Sequence, residues 1–311
     1  MNLVEKKDIN KELQELENAE IFKSNETTHS MVIAYLLCNE LEFLEKLFDK
    51  IGLSILNLEK KLIIQTETNH IDILIKNEKS IVAIENKYKD RCRKNYNKTD
   101  SEPDQLKRYE EYIKDKYQNI EKGFIYLRPF QHKLDEDYKN WKSLTYKNIL
   151  NILNSLKTSS EEIDRYKKII ERIYKPQEIC KTILKEVLNL DNSNSIEIDD
   201  ERGDINGYAI RIPLSGNYNS FLELEHPYPF CDYRDKVTIN LTVKKSDITE
   251  CDYILLKNVR DELGRKRLNG DKNYTWCSEE ICKNKEFSED IVRKKMRSSQ
   301  IIETLKKNHL F

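Results

Sequence analysis

Glycine is scarce in this chain, with 7 among 311 residues. That leaves no Gly-rich loop to cradle phosphates, so a P-loop or Rossmann nucleotide-binding fold is disfavoured. Long hydrophobic runs are missing too: no apolar stretch approaches the ~18 to 20 residues a membrane span needs. The N-terminal MNLVEKKDINKELQELENAE is polar and lacks the apolar core of a signal peptide. A cytosolic (cytoplasmic) protein with no membrane partner is therefore expected. Cysteine is present but unpatterned. Cys38, Cys92, Cys180, Cys231, Cys251, Cys277 and Cys282 are odd in number and widely scattered, so reduced thiols are expected. A zinc site from Cys231, Cys251, Cys277 and Cys282 would have to form without any C-x-x-C pair. A charge excess is also lacking, with 54 Lys+Arg against 55 Asp+Glu. Such balance argues against indiscriminate, high-affinity coating of DNA.

What is present is a heavily charged surface around ample core material: 35% charged, 38% hydrophobic and 9% aromatic residues, including 17 Tyr. Global disorder is disfavoured by that apolar content, and the length suggests two domains or one domain with a large extension. Residues 1–24 read as a polar helix and connection. The apolar face Ile33, Leu36, Leu37, Leu41, Leu44 and Leu47 predicts one helix from Thr27 to about Lys50. Three β-type runs follow, Lys61–Thr66, Ile71–Lys76 and Ser80–Asn86. A helix near Glu102–Tyr117 is announced by Ser101, Pro103 and Asp104 at its start. A strand at Gly123–Leu127 completes an α-β-β-β-α-β order. Residues 139–190 read as helical, broken at Thr158-Ser159-Ser160 and at Pro176. Beyond Asp191 come the strands SIEI, YAIRI, SFLELE and KVTINLTV, and then a basic helix over the last ~30 residues. The expectation is an α/β protein of two domains, 1–175 and 176–311, the second β-rich.

The chemistry concentrates in TNHIDILIKNEKSIVAIENKYKDRCRK. Along the first strand Asp72 lies on the face opposite Ile71, Ile73 and Ile75. Along the second, Glu85 and Lys87 sit two apart and project to one side. A hairpin with an even loop pairs residue 76 with 81 and sets Asp72 opposite Glu85, with Cβ atoms about 4.5 to 5.5 Å apart; an odd loop breaks that geometry. Facing carboxylates repel, and three conditions relieve them: solvent, a raised pKa on one group, or a cation. The cation also explains Lys87. Mg²⁺ prefers one or two carboxylates plus water and phosphate oxygens, and an adjacent ammonium can orient an attacking water and stabilise developing charge. Glu-x-Lys alone is uninformative, since it occurs at Glu5/Lys7, Glu59/Lys61 and Glu85/Lys87. The bland alternative is a half-exposed hairpin whose polar residues simply line a wet face.

Neighbouring residues bear on that choice. Gln105 and Tyr109 are four apart on the next helix and share a face. The loop 86–98 carries six basic residues against one acidic, net +5, with Tyr88 and Tyr96 interleaved. Its Lys89, Arg91, Arg93 and Lys94 suit a polyphosphate backbone, although a basic run can equally be a solvated loop.

With these residues in place, the chain resembles the PD-(D/E)XK nuclease superfamily, especially its RecB-like members. The likeness covers about residues 20–130 and rests on four features. These are the element order, Asp72 followed thirteen residues later by Glu85-Asn86-Lys87, Gln105-Leu106-x-x-Tyr109, and Glu26 before the first apolar helix. Ile71 stands where many members have Pro. The resemblance implies a restriction-endonuclease-like core and a deoxyribonuclease using Mg²⁺ or Mn²⁺. Asp72 and Glu85 would be its metal ligands, Lys87 its catalytic lysine, and Glu26 an auxiliary metal-site acid. Gln105 and Tyr109 would line the site near the scissile phosphate. The family branch also implies antiviral defence against phage or foreign DNA, with an activating partner or defence-system subunit as a further candidate. A non-catalytic nucleic-acid- or partner-binding module that retains the fold is the alternative, and an interaction protein such as the antitoxin or sensor half of a defence pair is the third.

In the C-terminal half His226 follows Glu223 and Glu225, inviting a metal reading against that of a turn residue beside prolines. Residues 260–311 hold 13 Lys+Arg against 9 Asp+Glu, net +4. Arg265, Lys266 and Arg267 form their sharpest basic piece, a candidate contact for nucleic acid; a solvated packing domain is the competing reading.

Overall fold

The computed structural model describes residues 6–19, 26–52, 62–87, 105–129, 138–190, 197–199, 207–216, 218–227, 236–265, 267–270, 274–283 and 286–310. The chain divides into two compact units, Met1–Ile173 and Tyr174–Phe311. The first begins with helices α1 (Lys6–Asn18), α2 (Glu26–Asn39) and α3 (Leu41–Ile51). Strands β1 (Ile63–Thr68), β2 (Ile71–Lys76) and β3 (Ser80–Asn86) follow, then α4 (Gln105–Lys116), β4 (Glu121–Arg128), β5 (Trp141–Thr145) and α5 (Tyr146–Asn154). The five strands form one mixed sheet in sequence order, antiparallel from β1 to β3 and parallel from β3 to β5. Helix α6 (Glu161–Leu188) spans the unit boundary along the chain.

Both faces of the central strands are covered. Every residue of β3 and Ile71–Ile75 of β2 are buried, which is why these strands read as nearly continuous apolar runs. On one face Leu106, Tyr109 and Ile113 of α4 pack with Leu74, Ile81, Ala83, Phe124, Tyr126 and Trp141. Helix α2 packs against β1 and β2 and is itself buried around most of its girth, from Thr28 to Leu37. The half-exposed hairpin is thereby ruled out.

Three expectations need correction. The single helix over Thr27–Lys50 is two, parted at Glu40, whose backbone leaves the helical region at φ −118 and ψ 88. The break resets the helical phase. Leu41, expected on the apolar face, is 58% exposed, while Phe43, Leu44, Leu47, Phe48 and Ile51 turn inward. Residues 141–145, expected helical, form edge strand β5. Pro176 lies inside α6 rather than ending it, because buried Ile170, Ile173, Cys180, Ile183 and Leu184 hold the helix on both sides of the lost hydrogen bond.

The second unit contains β6 (Glu197–Asp199), β7 (Gly207–Pro213), β8 (Phe221–Pro227), β9 (Lys236–Lys244), α7 (Glu250–Glu262), β10 (Asn269–Gly270) and β11 (Tyr274–Lys283). Its six strands pair antiparallel throughout in the order β10-β11-β9-β8-β7-β6. The basic C-terminal helix is again two, α8 (Glu289–Arg297) and α9 (Gln300–Lys307), with Ser299 capping the second. Val237, Ile239, Leu241 and Val243 of β9 enter one core with Leu255 and Leu256 of α7 and with Val292 and Ile301 of α8 and α9. No described helix is long and apolar enough to cross a membrane.

Candidate active site

The β2–β3 ladder pairs Lys76 with Ile81 and runs outward to Ile73 opposite Ile84. The ladder stops at that pair; continued one step, its register would set Asp72 across from Glu85. Beyond it the Asn86 N–H donates to Asp72 Oδ2 at 2.6 Å. Sequence dictates this arrangement locally. An even turn, with Asn77 Oδ1 accepting from the Lys79 and Ser80 N–H groups, fixes the register, and the apolar residues on both sides fix which way each strand faces.

Glu85 is wholly buried and Asp72 only 8% exposed. Glu85 Oε1 lies 2.7 Å from Lys87 Nζ and accepts from Gln105 Nε2 at 2.8 Å. The same Gln105 Nε2 donates to the Tyr109 hydroxyl at 2.8 Å, so the α4 pair four residues apart reaches the centre as its spacing suggests. Glu85 Oε2 is buried without a hydrogen-bond partner. Lys87 Nζ also donates to Glu26 Oε1, 2.9 Å away in the first turn of α2. Asp72, Glu85, Lys87, Glu26, Gln105 and Tyr109 thus form one cluster drawn from α2, β2, the end of β3 and α4.

Burial governs the electrostatics. It drives the Asp72 carboxyl up to about 7 despite the Asn86 hydrogen bond and Lys87. Burial, and then the charge of Asp72, drives Glu85 up to about 8. Burial would lower Lys87, but Glu85 and Glu26 outweigh it and hold the ammonium above its ordinary value. Tyr109 is likewise raised, first by burial, and keeps its phenolic proton.

Two contributors were hidden in the sequence. Asn86, the variable residue of Glu-x-Lys, is wholly buried and bonded to Asp72 and to two helices. Glu67 sits between the pairs Thr66–Ile73 and Thr68–Ile71, beside Asp72 in register, and its charge also raises Asp72. Its left-handed φ of 52 places it at the irregular end of β1, beyond the run Lys61–Thr66 that reads as strand.

Lys89, Arg91, Arg93, Lys94 and Lys266 lie outside the described residues, as do the capping residues Ser101, Pro103 and Asp104. Arg265 and Arg267 are exposed and belong to the second unit. His226 occupies a strand position in β8 opposite Tyr208, not a turn. Of the cysteines considered for zinc, Cys277 and Cys282 are buried and Cys251 exposed, and Cys231 is outside the described residues. Among the described residues, no three His, Cys, Asp or Glu side chains converge as a metal set; Glu26 is engaged with Lys87. The residues present fit a centre of two carboxylates, the number Mg²⁺ commonly takes from a protein. Glu85 Oε2 offers a desolvated oxygen, Lys87 contacts the carboxylates of Glu85 and Glu26, and a divalent cation could displace the protons that the raised Asp72 and Glu85 carboxyls hold near neutral pH.

Comparison of this chain with protein-family models, with curated proteins and with solved structures returns no match.

Proposed function

We propose that this protein is a metal-dependent nuclease that hydrolyses DNA phosphodiester bonds from a restriction-endonuclease-like core, serving defence against phage or other foreign DNA. The observation that carries the reading is Glu85: wholly buried, with Lys87 and Gln105 on one oxygen, no partner on the other, and Asp72 beside it. Structural carboxylates are normally satisfied on both oxygens, and a pair left charged in this setting costs several kcal/mol. Asp72 and Glu85 would hold Mg²⁺ or Mn²⁺, which when bound would polarise a phosphoryl oxygen and acidify a water.

The remaining chemistry falls to the chain itself. Glu85 and Glu26 keep Lys87 cationic, so it serves as a donor rather than a base. An ammonium carries three donors; these carboxylates engage two, and the third can orient the attacking water or meet charge developing on phosphate. Gln105 fixes the Glu85 rotamer and Tyr109 fixes Gln105. Apolar walls on both sheet faces keep the dielectric low, where fixed donors act most strongly.

The discriminating experiment is calorimetric titration of Mg²⁺ and Mn²⁺ into wild type and Asp72→Asn. A nuclease centre binds one or two ions in wild type and loses them in the variant. A folded wild type that binds neither ion leaves a non-catalytic module.

A further inference from the structure

Asn86 stands between the two residues of the Glu-x-Lys motif, yet it faces away from them into the other side of the sheet, and all its polar side-chain atoms are used. Its N–H holds Asp72 Oδ2 at 2.6 Å. Its side-chain Nδ2 donates to Ser30 Oγ at 2.8 Å and to the Glu26 carbonyl at 3.3 Å, both on α2. Its Oδ1 accepts from the hydroxyl of Tyr146, the first residue of α5, at 2.8 Å. Ser30 in turn donates to the Glu26 carbonyl, so Nδ2 meets Oγ as an acceptor. The Tyr146 ring stands edge-on to His29 at 5.1 Å, and His29 Nδ1 lies 3.1 Å from the Tyr166 hydroxyl. Asn86, Ser30 and His29 are each buried.

We infer that Asn86, clamped by Ser30 and Tyr146, is a positioning residue that orients the Asp72 and Glu85 carboxylates toward a shared cation and ties Glu26 to the same frame. The inference rests on the nuclease reading and deepens it. The end of β3 lies beyond the last β2–β3 ladder pair, so something other than that ladder must fix the angle between the carboxylates. Parallel pairing with β4 holds Asn86 and the Lys87 N–H on one side; the Asn86 amide supplies the other restraint. Only a carboxamide fits the position, because it must give two donors to α2 and one acceptor to α5. Aspartate would set acceptors against the Glu26 carbonyl and Ser30 and add a third buried charge. Removing a partner behind a metal ligand typically weakens metal binding about 10- to 100-fold.

The test is Mn²⁺ titration of the full chain for wild type, Tyr146→Phe, Ser30→Ala and Asn86→Leu, at a temperature where circular dichroism shows each folded. Tyr146→Phe retains the ring and its edge against His29, so it tests the hydroxyl even where Asn86→Leu fails to fold. The expected result is Mn²⁺ affinity about 10-fold weaker in Tyr146→Phe and up to about 100-fold weaker in Asn86→Leu. The double variant Asn86→Leu/Tyr146→Phe should be no weaker than Asn86→Leu, since the single bond lost in Tyr146→Phe is already among those lost in Asn86→Leu. A purely structural role would lower the melting temperature and leave Mn²⁺ affinity unchanged. Unchanged affinity in all folded variants, with wild type binding and cutting normally, overturns the positioning role alone. A wild type that neither binds Mn²⁺ nor cuts DNA overturns this inference together with the nuclease reading.

Discussion

Glu85 and Asp72 are carboxylates that the fold desolvates, and this has a measurable consequence of definite sign. Their folded pKa values, about 8 and about 7, exceed the unfolded values near ~4. Between those limits the folded chain binds more protons than the unfolded one, so stability must fall as pH rises. The contribution is whole below about pH 4 and is lost as pH climbs through the folded values of about 7 and about 8. In EDTA, Asp72→Asn should therefore raise the melting temperature at pH 8, an effect on the order of 1–3 kcal/mol, with little change at pH 4. Added Mn²⁺ should stabilise wild type more at pH 8 than at pH 5.5, because protons compete for the same oxygens. Equal Mn²⁺ stabilisation at both values would contradict the assignment of these two residues. Lys87→Met should further destabilise the chain in EDTA at pH 8 by leaving Glu85 without its ammonium, as urea unfolding would register.

At the scale of elements, the two strands of the hairpin were legible from their apolar runs and its register only in part. That register followed only on the supposition of an even loop; the Asn77 Oδ1 bonds to the Lys79 and Ser80 N–H groups settle it. The Gln105–Tyr109 pair was legible because helical spacing alone places both on one face. The break at Glu40 was not, since neither glycine nor proline marks it and Leu41 fits the periodicity of a continuous helix. Its proof is a pair of substitutions: Leu44→Ala, in the core, should cost about 2–5 kcal/mol. Leu41→Ala, 58% exposed, should stay within about 0.5 kcal/mol. Comparable losses at both positions in urea unfolding would restore the continuous helix. Strand β5 carries a weak signal, because Trp-Lys-Ser-Leu-Thr is short and has only two buried positions, Trp141 and Leu144. The part of the site built by Asn86 was invisible for another reason: its partners Ser30 and Tyr146 lie 56 and 60 residues away, and no local pattern encodes such pairings.

For the whole molecule, near-neutral net charge means that the DNA affinity proposed for it would have to come from local basic groups rather than a general field. Alanine at Arg265, Lys266 and Arg267 should flatten the plot of log affinity against log salt by about 0.9 for each phosphate that is no longer neutralised. An unchanged slope and affinity would rule these residues out as the proposed nucleic-acid contact. The most direct test is cleavage of linear, circular and single-stranded DNA in Mg²⁺, Mn²⁺ or EDTA, comparing wild type with folded Asp72→Ala, Glu85→Ala and Lys87→Ala. Metal-dependent cutting by wild type, blocked by EDTA and reduced by at least ~100-fold in each variant, is the predicted result. Cutting of closed circles would mark an endonuclease. Cleavage that persists in EDTA, or that survives loss of both carboxylates, would contradict a metal centre at Asp72 and Glu85.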